Sequence, residues 1–216
     1  GKRNFSTPST RFYMSRVIIL AEAAGFCSGV KKAIAKAESL GEAVIFGSLI
    51  HNPQEVERLD KAGKKIVHSL DNIAGGPVLI TAHGLEQEKI GRMRALGLEI
   101  IDTTCPLVVR IYQEGLRLQE RGLRVAILGD PGHVEVRGIA SRMREPFLVN
   151  TLADVETVPA GARVGVVCQS TLLQENFTLL VEALKARCLE VVAVNTICRP
   201  TKHRQDSVKA LAKKAQ

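Results

Sequence analysis

LEIIDTTCP at residues 98–106 and LEVVAVNTICRP at residues 189–200 are two versions of one design. Each is a β-branched apolar run that passes through a polar turn into a cysteine, with proline one or two residues further on. That is a buried strand delivering its chain into the first turn of a helix. Working outward, the order of elements around them repeats. Cys27 opens a helix, followed by strand 44–47, a polar loop with His51, a helix, strands, the loop Ala82-His83-Gly84, a helix and strand 99–102 into Cys105. Cys105 opens a helix, followed by strand 125–128, a polar loop with His133, a helix, strands, the loop Cys168-Gln169-Ser170-Thr171, a helix and strand 190–194 into Cys198. Strands that alternate with helices predict α/β layering with parallel sheets, and a repeat of this length predicts two copies of one supersecondary unit.

The remaining runs fit that frame. VLIT (78–81), FLVN (147–150) and VGVV (164–167) read as buried strands, and a short β-like run precedes His68. Leu173, Phe177, Leu180 and Leu184 fall on one helical face, as Val30, Ile34 and Ala37 do more weakly. The expected organisation is a first unit at 27–104 and a second at 105–197. Cys198 is expected to open a third unit, of which residues 198–216 supply one helix with Val208, Leu211 and Ala215 on a face. Segment 17–26 reads as a strand (VIIL, 17–20) with no sheet in the first unit, and is assigned to the third.

Composition narrows the class. Of 216 residues, 45% are hydrophobic and 24% charged, which excludes disorder and collagen-like structure. No apolar run approaches the ~20 residues of a membrane span, so no membrane partner is expected. The net charge of +8 first suggests nucleic acid, but it is not spread evenly. Residues 1–16 carry Lys2, Arg3, Arg11 and Arg16 without an acid; residues 201–216 carry five basic groups against Asp206; the body between is neutral. With aromatics at 4% and no Trp, stacking platforms for bases are scarce, and no nucleic-acid partner is expected. Residues 1–16 read as a segment outside the fold: a leftover of cloning, an extension ahead of a start at Met14, or a transit-peptide remnant rich in Ser, Thr and Arg.

The chemistry-bearing residues gather after strand C-termini, where open α/β sheets bind ligands. Five cysteines, an odd number in a chain long enough to need no staples, point to a reducing compartment and to thiols free for metal. Cys27, Cys105 and Cys198 share one context, strand end and helix start, where the helix field favours the anionic sulfur that ligates metal. Three such thiolates suit an iron–sulfur cluster with one open iron, or a zinc site. Cys168 and Cys188 read instead as small buried hydrophobes. His51, His83 and His133 occupy matching loops and suit phosphate oxygens near neutral pH, whereas His68 has no counterpart and reads as structural. Glu135 is either a proton-delivering acid or an ordinary first-turn glutamate; Ser170 and Thr171 offer hydroxyls or simple N-caps.

GFCSGV (25–30), HN (51–52), TAHG (81–84), TCP (104–106), GHVE (132–135), QST (169–171) and IC (197–198) occur in the order of the 4-hydroxy-3-methylbut-2-enyl diphosphate reductase (LytB/IspH) family, which the chain resembles over roughly residues 17–210. The resemblance implies an enzyme of non-mevalonate isoprenoid biosynthesis, with α/β units in pseudo-threefold arrangement around a central [4Fe–4S] cluster. It implies Cys27, Cys105 and Cys198 as cluster ligands, His51, His83 and His133 as diphosphate- and substrate-binding groups, Glu135 as catalytic acid, and Ser170 or Thr171 near the substrate hydroxyl. The implied partners are an allylic diphosphate and an electron-donor protein such as ferredoxin or flavodoxin. The implied compartment is the bacterial cytoplasm, or a plastid if residues 1–16 are a transit remnant.

The sequence departs from the family pattern at Val134, where proline is usual, and in the run CRPTKHRQ at 198–205. A Ser/Asn-containing diphosphate loop of the third unit is absent, so the chain by itself is expected to be poorly folded or weakly active. A quinolinate synthase-like iron–sulfur dehydratase shares the three-cysteine logic without the AHG, TCP and GHVE set. A zinc-binding, non-enzymatic degenerate paralogue is the reading from a different class.

Overall fold

The computed structural model describes residues 18–214. Its elements run α1 (Ser28–Ser39), β1 (Ala43–Phe46), α2 (Pro53–Lys61), β2 (Lys64–Val67), a 3-10 turn (Leu70–Asn72), β3 (Val78–Ile80), α3 (Gln87–Ala95) and β4 (Ile100–Asp102). The series then repeats as α4 (Pro106–Glu120), β5 (Arg124–Leu128), α5 (Val134–Ala140), β6 (Phe147–Val149), α6 (Leu152–Val155), β7 (Arg163–Cys168), α7 (Gln174–Arg187) and β8 (Glu190–Ala193), with α8 (Arg199–Ala212) following. The strands form two four-stranded sheets of order β2-β1-β3-β4 and β6-β5-β7-β8, and every pairing is parallel. The repeat in the sequence is thus a repeat of topology, strand for strand.

Parallel sheets must be covered on both faces, which is why these strands are almost uniformly apolar. In the first sheet Ile45 and Leu79 face α1, packing with Ala33, Ile34 and Ala37, while Val44, Phe46, Val78 and Ile80 meet Ile90 and Met93 of α3. In the second, Val125, Ile127 and Val167 pack with Val108, Ile111 and Leu118 of α4. Ala126, Leu128, Val164 and Val166 pack with Phe177, Leu180 and Leu184 of α7. No helix of the described residues is long and apolar enough to cross a membrane.

Three sequence expectations change. Residues 18–26 form no strand; Ile18 and Leu20 are 86% and 79% exposed. An apolar run specifies a face to bury but not a pairing partner, and among the described residues none lies alongside. Leu173 is not on the buried face of α7 but is its N-cap, 42% exposed, so Ser170 and Thr171 occupy the preceding turn and cap nothing. α8 forms as expected but buries none of its described side chains. Residues 1–16, Val17 and Ala215 lie outside the described residues.

Gly165 marks where α4 crosses β7: a Cβ there would sit 2.7 Å from Leu118 Cβ and 3.0 Å from both its methyls. Replacing a strand glycine by alanine ordinarily helps, but here overpacking is the larger effect. Gly165→Ala should lower unfolding free energy by about 1–3 kcal/mol, read as a lower urea midpoint at unchanged slope.

Candidate active site

The order 2-1-3-4 places a topological switch point between β1 and β3, and its copy lies between β5 and β7. At each, two neighbouring strands send their chains to opposite sides, opening a crevice at their carboxyl ends. His51 follows β1, His83 follows β3 and His133 follows β5, while Gln169 and Ser170 follow β7. The two crevices face one another because the halves are joined along α3 and α5. The Gln87 amide donates to Ser141 Oγ (3.0 Å), and Arg137 Nε donates to Glu86 (3.0 Å). The Arg142 guanidinium lies 3.9 Å above the Tyr112 ring and donates to the Leu85 carbonyl at 2.9 Å.

This brings the three histidines into one cluster. His51 stacks on His83 at 4.3 Å between ring centroids, and His133 stands edge-on to them at 5.0 and 5.6 Å. One nitrogen from each lies within 4.8 Å of the others, a spacing that would also suit a cation. The hydrogen bonds argue otherwise. His133 N-caps α5, its Nδ1 accepting the Glu135 amide at 3.1 Å. Neutral His133 therefore carries its proton on Nε2, which points at His51 Nε2, 3.0 Å away. A metal there would have to displace that proton and break the cap. Burial pushes His83 down to about 4, with His51 and His133 adding repulsion, and His133 is lowered for the same reasons. His83 Nε2 is buried without a partner. Within the cluster the His133 Nε2–H thus has His51 Nε2 as its acceptor, and His83 Nε2 is the buried nitrogen left for a ligand to meet.

Glu135, the second residue of α5, is 1% exposed. Burial raises its pKa, opposed by two hydrogen bonds from one residue: the Ser170 amide donates to Oε1 (2.6 Å) and the Ser170 hydroxyl to Oε2 (2.8 Å). It is no solvated first-turn glutamate. Thr171 is exposed, its hydroxyl accepting from Gln169 Nε2, while Gln169 Oε1 accepts the Asp130 amide at 3.1 Å. Gly129 makes room for this; a Cβ there would sit 2.7 Å from Gln169 Cβ.

Cys27, Cys105 and Cys198 are the N-caps of α1, α4 and α8. None of the three helices has an acidic residue in its first turn or a side-chain cap bond. Each of α2, α3, α5, α6 and α7 has such an acid. The three cysteine-capped ends alone among these keep their positive field unneutralised, as an anionic group bound by thiolates requires. Gly29 clears space between two of the thiols: a Cβ there would lie 2.7 Å from Cys105 Sγ and 3.9 Å from Cys27 Sγ. Cys198 Sγ lies 2.8 Å from Thr201 Oγ1, and a cleft of about 410 Å³ lined by Cys27, Ser28, Arg199 and Pro200 joins α1 to the start of α8. These residues fit a group held by three cysteines. Cys168 is instead fully buried, its thiol pushed up by burial, and the half-buried Cys188 is shifted the same way. His68 and His203 are exposed and outside the cluster.

Gly29 and Gln169 shape the site, and the sequence reading holds them only inside the motifs GFCSGV and QST, not as candidate residues. Gly29 is a glycine two residues after a ligand-type cysteine; the hydrogen bond that Gln169 accepts from the Asp130 amide leaves no local mark.

His83 takes up a proton near pH 6.5 when unfolded but only near pH 4 when folded, so its contribution is full above pH 6.5 and is lost as pH falls toward 4. The urea stability of the wild type should therefore decline over that window by up to about 1.4 kcal/mol per pH unit more than that of His83→Gln. Inorganic pyrophosphate, which favours protonated imidazoles, should bind more tightly at pH 6 than at pH 7.5 by calorimetry; affinity that is flat or falls would remove the histidines from the anion site.

A family model described as LytB protein matches residues 18–216. The 4-hydroxy-3-methylbut-2-enyl diphosphate reductase of a Nitratiruptor species is 36% identical over 200 residues, covering 92% of this chain and 73% of that protein. The reductase of the same name from Aquifex aeolicus is 39% identical over 204 residues, covering 90% and 71%. A solved structure of (E)-4-hydroxy-3-methyl-but-2-enyl diphosphate reductase, the terminal enzyme of the non-mevalonate pathway, matches with TM-score 0.76 at 38% identity, covering 91% of this chain and 73% of that one. The E-1-hydroxy-2-methyl-but-2-enyl-4-diphosphate reductase from Plasmodium falciparum matches with TM-score 0.82 at 25% identity, covering 88% and 63%. With its repeated parallel sheets, convergent histidines and three helix-capping cysteines, this chain belongs to the LytB protein family.

Proposed function

We propose that the chain is a 4-hydroxy-3-methylbut-2-enyl diphosphate reductase, which removes the allylic hydroxyl to give isopentenyl and dimethylallyl diphosphate. The observation that carries this reading is the meeting of His51, His83 and His133 with the buried Glu135–Ser170 pair at two facing switch points. Cys27, Cys105 and Cys198 would hold a [4Fe–4S] cluster, which when bound supplies electrons and, at an iron without a protein ligand, a Lewis acid for the hydroxyl oxygen.

The remaining roles belong to the chain's own residues. The histidine N–H groups hold the diphosphate and take on positive charge as it binds, anchoring the substrate by the end remote from the chemistry. Glu135, whose pKa burial raises, donates to the departing oxygen or the carbon skeleton, and Ser170 holds its carboxyl in place. The overall change consumes two electrons and two protons and releases water, so an electron-carrier protein of the ferredoxin or flavodoxin kind is the proposed partner.

Glu135→Gln keeps the shape and removes the acid. Under anaerobic conditions with a chemical one-electron reductant, its turnover should fall about 100-fold or more relative to the unsubstituted chain, with KM little changed. The reduced-cluster paramagnetic resonance signal should still respond to added substrate. Turnover equal to the wild type would take Glu135 out of the reaction.

A further inference from the structure

Two residues before Cys105 and Cys198 stand Thr103 and Thr196, and both make the same clasp. Thr103 Oγ1 donates to the carbonyl of Ile80, the last residue of β3, at 2.5 Å, and the Cys105 amide donates to the Ala82 carbonyl at 3.0 Å. Thr196 Oγ1 donates to the carbonyl of Cys168, the last residue of β7, at 2.7 Å, and the Cys198 amide donates to the Ser170 carbonyl at 3.0 Å. Thr196, 6% exposed, also accepts the Cys168 amide at 2.8 Å. Two residues before Cys27 the chain has Gly25, whose φ of +93° suits glycine and leaves no side chain to make a clasp. Its carbonyl is held from outside: Arg204 of α8 donates to it through Nε at 3.0 Å and Nη2 at 2.7 Å. Ser207, on the same helix, accepts the Ala23 amide at 3.1 Å.

Resting on the assignment of Cys27, Cys105 and Cys198 as cluster ligands, we infer that Thr103, Thr196 and Arg204 are positioning residues that fix the three ligand segments before the cluster binds. A cysteine at an N-cap is held by the helix on one side only; the loop before it is free unless tied. The clasp ties it to the switch-point loop, and the tie has chemical content. Ser170 gives its amide and hydroxyl to Glu135 and its carbonyl to the Cys198 amide, so any slip of Cys198 displaces the hydrogen bonds on Glu135. On the other sheet Cys105 is tied to Ala82, next to His83. Arg204 closes the ring, since the helix that Cys198 opens holds the loop that ends in Cys27.

The test uses Thr196→Val, which keeps the shape and loses the hydroxyl's hydrogen bonds to Cys168, Thr196→Ser, which keeps the hydroxyl, and Arg204→Gln on α8. Each chain is reconstituted anaerobically with iron and sulfide and then challenged with an iron chelator. The unsubstituted chain should load about four irons. Thr196→Val and Arg204→Gln should lose iron about 10-fold faster or more, with Thr196→Ser close to the unsubstituted rate. Melting of the metal-free chains is measured alongside. A lowered melting temperature with unchanged iron loss means the contacts serve the fold alone and overturns the inference, as does unchanged loss from Arg204→Gln. Should Thr196→Val fail to fold, Thr196→Ser and Arg204→Gln decide by the same criterion. An unsubstituted chain that loads no iron overturns the ligand assignment, and the clasp with it.

Discussion

All eight strands of the described residues run parallel, and that constraint organises everything else in them. A parallel sheet sends every strand's carboxyl end to the same edge, so side chains that follow strands gather there whatever their separation in sequence. The strand order, repeated in both sheets, adds one crevice to each. Joining the halves through Arg142 on the Leu85 carbonyl, Tyr112 against Gly84 and the Glu86–Arg137 pair turns two crevices into one site. His51 and His133, 82 residues apart, thereby come into direct contact.

Within that site burial acts on acids and bases in opposite senses. It raises Glu135 and lowers His83 and His133, and both shifts favour the neutral form. The body of the chain is neutral as well, since the excess charge belongs to the two ends. The features that would favour an anion are therefore local: the unpartnered His83 Nε2 and three helix termini without first-turn acids.

The repeat, the parallel strands and the three cysteine-capped helices are legible because each leaves a local mark: an apolar run, a helical period, a Pro soon after Cys105 and Cys198. Where sequence and structure differ, the missing information is pairing. VIIL at 17–20 has the composition of a strand, yet residues 18–20 pair with no strand among the described residues. Leu173 keeps the helical period of α7 but precedes its first turn, because the chain must first carry Ser170 to Glu135. Ser170 and Thr171 are indistinguishable as hydroxyls in the sequence; one is buried on the acid and the other exposed, one residue's rotation away.

The sequence alone thus determined the architecture and the residue types at the strand ends, since local propensity and hydrophobic period are properties of neighbouring residues. Only the tertiary structure decided which of those residues meet, which nitrogen of His133 carries its proton, and that Glu135 is buried. The same holds for the ties at Thr103, Thr196 and Gly25. Hydrogen bonds and burial across units depend on register and packing between segments up to 184 residues apart, and no local pattern records them.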